Sequence, residues 1–177
     1  MDKTETNRII LNSIREQYGA TFKMLENVIN KCPDSFWNDS KNGPPFYKIV
    51  YHTMFFIDLY LSRTKEERTS FTPRFSKQED YRISPENFSN PQEPTLSKSD
   101  VLDYLHDLKI KGKKRIESLT LQELINESVF EWHGSSILSS MLYNLRHVML
   151  HIGALQVRLR MQGIEFENWV SQSPIVE

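Results

Sequence analysis

From Ser135 to Gly163 the chain reads SSILSSMLYNLRHVMLHIGALQVRLRMQG, with no proline and no internal charge run. Leu138, Met141, Leu142, Leu145, Val148, Ile152, Leu155 and Leu159 return on one face of a 3.6-residue period. Ser135 or Ser136 supplies a helix start and Gly163 a stop. At 1.5 Å per residue such a helix is roughly 40 Å long, enough to run the full height of a helical bundle.

Beside the apolar stripe runs a small or polar one: Ser140, Asn144, His147, His151 and Ala154. His147 and His151 form an H-x-x-x-H pair. Residues four apart on a helix are neighbours, so two imidazoles there can reach one metal ion at about 2.0–2.1 Å each. The plainer reading is two partly exposed or hydrogen-bonded histidines. The motif is not the H-E-x-x-H of zinc proteases, because Val148 stands where the general base would be.

The rest of the chain supplies three partner helices. Ile10, Ile14, Tyr18, Phe22 (or Thr21), Leu25, Val28 and Ile29 mark a first helix over residues 4–31. Gly19 weakens it locally, and Cys32-Pro33-Asp34 closes it. FWNDSKNGPP then reads as a loop, with Trp37 plugging the bundle end. Pro44-Pro45 open a second helix over about residues 45–63, with Ile49, Phe56, Leu59 and Tyr60 on a broad inward face. His52 shares that face, which ordinarily means a core histidine held by one hydrogen bond and less often a ligand. Asp58 lies roughly 120° away around the helix and is not expected to share a metal.

Residues 64–96 hold many charges and four of the eight prolines, without a clear period. So long a connection is expected as a crossover that lets two successive helices run parallel, or as a mobile lid. Phe71, Phe75, Tyr81 and Phe88 favour a segment that packs down. Ser97-Lys98-Ser99-Asp100 resembles a capping box opening a third helix that runs to about Leu119. Leu102, Leu105, Leu108, Gly112, Ile116 and Leu119 make its inner face. Lys109, Lys111, Lys113, Lys114 and Arg115 are expected as a solvated face, and His106 as a surface residue. Residues 120–134 read as an irregular connection, with His133 a weak ligand candidate.

The expected fold is all-α, a four-helix bundle with a long crossover between the second and third helices, forming one domain over residues 1–177. The chain is long enough for a sizeable core. A net charge of −1 gives no push toward nucleic acid or anionic membrane. No apolar run approaches the roughly 20 residues that span a bilayer, and MDKTETN lacks the apolar core of a signal peptide. Cys32 is the only cysteine, which excludes an internal disulfide and suits a reducing, cytoplasmic setting. His52, His147 and His151 all point inward, and three imidazoles plus an open position is the pattern of a catalytic zinc site.

At this point the chain resembles the DinB-like superfamily of helical-bundle metalloproteins, which is unrelated to the translesion polymerase of similar name. The resemblance is carried by PFYKIVYHTMFFIDLYLSR with its single His52, by SKSDVLDYL, by FEWHGSS, and above all by NLRHVMLHIGALQVRLRMQG. It implies an up-down-down-up bundle, often a homodimer, in which His52, His147 and His151 bind a divalent metal. It further implies metal-dependent transferase or isomerase chemistry with a low-molecular-weight thiol such as bacillithiol or mycothiol, acting on a small-molecule electrophile. Imidazole ligands suit zinc or nickel. Ser140 and Asn144 are candidates to orient the nucleophile or a water, and Tyr51, Met54, Phe55 and Tyr143 to line the pocket or fill the core. A metal-dependent hydrolase, or a non-catalytic module with a vacant or structural site, is the competing reading.

Overall fold

A computed structural model describes residues 2–41, 43–64, 67, 96–130, 135–165 and 169–176. Among these residues the secondary structure is helical: α1 (Lys3–Lys31), α2 (Asp34–Trp37), α3 (Phe46–Leu61), α4 (Lys98–Glu117), α5 (Leu121–Ile125) and α6 (Ile137–Met161). No helix among them is long and apolar enough to cross a membrane. The crossover with Phe71, Phe75, Tyr81 and Phe88 lies outside the described residues, as does His133.

The helix ends follow local chemistry. Cys32 is extended, at φ −69° and ψ 122°, as a residue before proline must be, and α1 stops there. The Ser97 hydroxyl accepts from Asp100 N at 3.1 Å, and the Asp100 carboxylate accepts from Ser97 N at 3.1 Å, which closes the expected capping box. Ser136 caps α6 by accepting from Ser139 N, and Gly163 beyond its end takes a left-handed φ of 74°.

Two short helices replace predicted loops. Pro33 starts α2, whose single turn buries Phe36 and Trp37, and the Trp37 indole donates to Leu96 O at 2.7 Å. Trp37 thus does plug the bundle end. Thr120 caps α5 by accepting from Glu123 N. That T-x-x-E spacing is a capping signal in a stretch expected to be irregular.

The four long helices form a ring. α1 packs on α4 and α6, and α3 packs on the same two, so α1 and α3 stand at opposite corners. Cross-links give the directions. Lys109 of α4 pairs with Glu26 of α1 at 2.8 Å, and Lys98 reaches Cys32 O at 2.6 Å, so these helices are antiparallel. Tyr104 donates to Asp58, Lys111 to Ser62, and Arg63 to Ser118, which makes α3 and α4 parallel. Arg158 donates to Pro44 O at 2.6 Å while Tyr60 meets Tyr143, so α3 and α6 are antiparallel. The bundle is therefore up-down-down-up. Leu25, Val28, Val50, Met54, Leu108, Ile152, Leu155 and Leu159 are fully buried at its centre.

Two expectations about helix faces are corrected, and Gly19 gains a role. Lys109 and Arg115 are buried, and Lys109, Lys111 and Arg115 pair with Glu26, Asp58 and Glu123. α4 stands between α1 and α3, so its flanks meet acidic neighbours instead of water. Leu142 is exposed, because its position lies beyond the edge of the inward arc centred on Val148. Gly19 is a site of close approach. The segment 169–176 crosses α1 there, Ser173 N donates to Glu16 O at 3.3 Å, and a Cβ on Gly19 would sit 1.9 Å from Ser173 O. Ile175 is buried at the end of this strap.

Candidate metal centre

The site is built on one antiparallel helix pair. α3 presents His52, and α6 presents His147 and His151 one turn apart. Their ring centroids lie 5.4 Å (His52–His147), 4.7 Å (His52–His151) and 4.5 Å (His147–His151) from one another. One nitrogen from each ring falls in a group whose atoms all lie within 4.8 Å of one another. His147 Nε2 and His151 Nε2 stand 3.0 Å apart. A tetrahedral ion with bonds of about 2.0–2.1 Å sets its donor atoms about 3.3 Å apart, so small ring rotations would make all three ligands of one ion.

The electrostatics suit the same purpose. All three histidines are half-buried. Burial first, and then the neighbouring His52 and His147, lower His151 from its ordinary value to about 4. Its imidazole is therefore neutral at pH 7, with a lone pair to offer. The short contact between His147 and His151 requires one ring to present a lone pair to the other. The three-histidine group can hold a divalent ion.

Other residues are arranged around that group. Asp58 stays out of it, as expected, since its carboxylate is engaged by Tyr104 and Lys111. His106 is exposed on α4. Ser140 and Asn144 are buried with their bonds directed elsewhere: Ser140 Oγ lies 2.6 Å from Ser128 Oγ, and Asn144 donates to the Tyr18 hydroxyl at 3.1 Å. Their positions on α6 face the loop after α5 and helix α1, so these bonds do not reach the histidines. Tyr51 is buried against Tyr104, and Met54 is fully buried. Both belong to the core.

Aromatic rings flank the histidines toward the Tyr60 end of α3. Phe56 lies 4.8 Å from His52 and 4.8 Å from His147. Tyr143 stacks with His147 at 6.1 Å and an interplanar angle of 10°. Tyr60, Phe55 and Phe130 fill in behind them. Burial, then Tyr143 beside it, pushes the Tyr60 phenol above its ordinary value, so it stays protonated. Phe56 is four residues after His52 and Tyr143 four before His147. That spacing was the signal that could have placed both rings beside the site.

No curated protein and no solved structure matches the chain. The DinB superfamily matches over residues 17–155, a span that contains His52, His147 and His151. With the up-down-down-up bundle and its inward histidine triad, this match shows that the chain belongs to the DinB superfamily.

Proposed function

We propose that His52, His147 and His151 hold a zinc or nickel ion and that the protein is a metal-dependent transferase, joining the sulfur of a low-molecular-weight thiol to a small electrophile. The carrying observation is the donor set: three imidazoles within 4.8 Å, with no fourth histidine, cysteine, aspartate or glutamate in the group among the described residues. Structural zinc sites are closed by four protein ligands, whereas three leave a position for an exogenous ligand. A divalent ion bound there supplies Lewis acidity, which lowers the pKa of a coordinated thiol into the neutral range. The chain supplies the rest. Neutral imidazoles leave the ion its full positive charge, and the rings of Phe56 and Tyr143 exclude water from one side. A thiol cosubstrate places the protein in the reducing cytoplasm. The outer face of α6, where Leu142, Leu150, Val157 and Met161 are exposed, supports pairing as a homodimer.

Metal analysis of the purified protein, followed by an ultraviolet assay of the metal-loaded form against a panel of thiols and electrophiles, tests the reading. The expected result is one divalent ion per chain and thiol-dependent loss of an electrophile. Stoichiometric metal with turnover in the absence of thiol would instead make it a hydrolase.

A further inference from the structure

The seam between α3 and α6 continues past the histidines. On α3, His52, Phe56 and Tyr60 succeed one another at intervals of four, and on α6, His151, His147 and Tyr143 do the same in the opposite direction. The antiparallel pairing sets His52 beside His151, Phe56 beside His147, and Tyr60 beside Tyr143 at 5.7 Å. The outer rings of this ladder, Phe56 and Tyr143, are half-buried like the histidines. The inner ones, Phe55, Tyr60 and Phe130, are buried. Arg146 places its guanidinium 5.3 Å from the Tyr143 ring centre, which fixes that ring from a second side. The seam therefore presents aromatic surface backed by a packed second layer, directly beside the metal ligands. Phe56 and Tyr143 keep part of their surface accessible, unlike the rings behind them. Apolar walls with a few convergent polar groups are what small-molecule sites are made of.

We propose that Phe56 and Tyr143 form a subsite for a planar, apolar group of the ligand, so that the site takes aryl or similarly flat substrates in preference to small aliphatic ones. This inference rests on the metal reading above. The ring of the ligand lies against Phe56 and Tyr143 while its polar end reaches the ion, and the buried Tyr60 and Phe130 keep the two wall rings from yielding.

The test uses full-length cobalt(II)-substituted protein and two chelating probes that differ in one group, benzohydroxamate and acetohydroxamate. Binding is followed by the visible cobalt absorption. The wild type is expected to bind the phenyl probe about tenfold more tightly than the methyl probe, the worth of one aromatic contact with its buried area. Phe56→Ala and Tyr143→Ala should each reduce that ratio to within about threefold, and the ratio alone is the readout because both rings also touch the ligands. Ile9→Ala, exposed on α1 away from the α3–α6 seam, should keep the ratio. Circular dichroism checks folding, and if Phe56→Ala does not fold, Tyr143→Ala decides alone. Equal affinity of the two probes for the wild type, or a ratio untouched by both variants, overturns the subsite and leaves the metal centre standing. If cobalt does not bind at all, the metal reading fails and the subsite with it.

Discussion

The Lys111 ammonium of α4 meets the Asp58 carboxylate of α3 inside the bundle, where Tyr104 donates to the other carboxylate oxygen at 3.0 Å and the Ser62 hydroxyl accepts from Lys111 at 2.7 Å. Asp58 is 1% exposed. Such a pair holds two parallel helices in register, and losing one member leaves the other charged and buried. Asp58→Ala is expected to cost about 3–5 kcal/mol of unfolding free energy, read by urea denaturation. Asp58→Leu together with Lys111→Met should cost much less. A single-variant loss under about 1 kcal/mol would show that water reaches the pair.

Periodicity alone shows part of this arrangement. The spacing of His147 and His151, and the phase of His52 among Ile49 and Phe56, are properties of single helices, so the three inward histidines are legible in the amino-acid order itself. The partners of Lys109, Lys111 and Arg115 are not, because they depend on which helix stands beside which. A lysine-rich stretch reads as a solvated face until α1 and α3 are known to flank it. Ser140 and Asn144 show the same limit from the other direction. They sit on the polar stripe with the histidines, yet a turn of helix is enough to aim them at Ser128 and Tyr18. The one-turn helices α2 and α5 are too short for periodicity to detect.

His147→Ala should abolish stoichiometric metal binding, measured by elemental analysis after dialysis, while far-ultraviolet circular dichroism stays near wild type. The core formed by Leu25, Val50, Met54, Leu108 and Ile152 does not include the ligands. For the same reason, chelation of the wild type should lower its unfolding free energy by no more than the lost binding energy and leave it folded at about 25 °C. Unfolding on chelation would make the centre structural.

Acid should destabilise the metal-free protein in a defined window. In the unfolded chain His151 takes up its proton near its ordinary value of 6.5, whereas in the fold it does so only near 4. Between those values the unfolded state binds more protons, so stability falls as pH drops from 6.5 toward 4. Above 6.5 the residue contributes no pH dependence. Urea midpoints of wild type and His151→Gln across this range give the comparison, and the variant should show a shallower slope. Identical slopes would mean that His151 is protonated as readily in the fold as in the open chain.

Gly19→Ala places a methyl group where Ser173 O now sits. The helix gains propensity, about 1 kcal/mol, but the 169–176 strap must shift. Faster proteolysis within the strap is expected, with metal affinity unchanged. A variant that is simply more stable, with the strap equally resistant, would refute the close approach.

Light scattering at micromolar concentration should give twice the chain mass. Leu150→Glu with Val157→Glu, on the exposed face of α6, should return it to monomer mass. A wild type that already scatters as a monomer would remove the homodimer from the proposal.

The three histidines, as the proposed ligands, also order events in time. His52 and His147 are separated by about 95 residues of chain, and α6 must dock between α1 and α3 before they meet. Until then the chain offers an ion only the local pair His147 and His151, and closing so long a loop is slow compared with forming either helix. Metal uptake at the proposed site is therefore expected as a late step. Its rate should follow the docking of α6 and saturate with metal concentration, so that the ion reports the arrival of the last long helix.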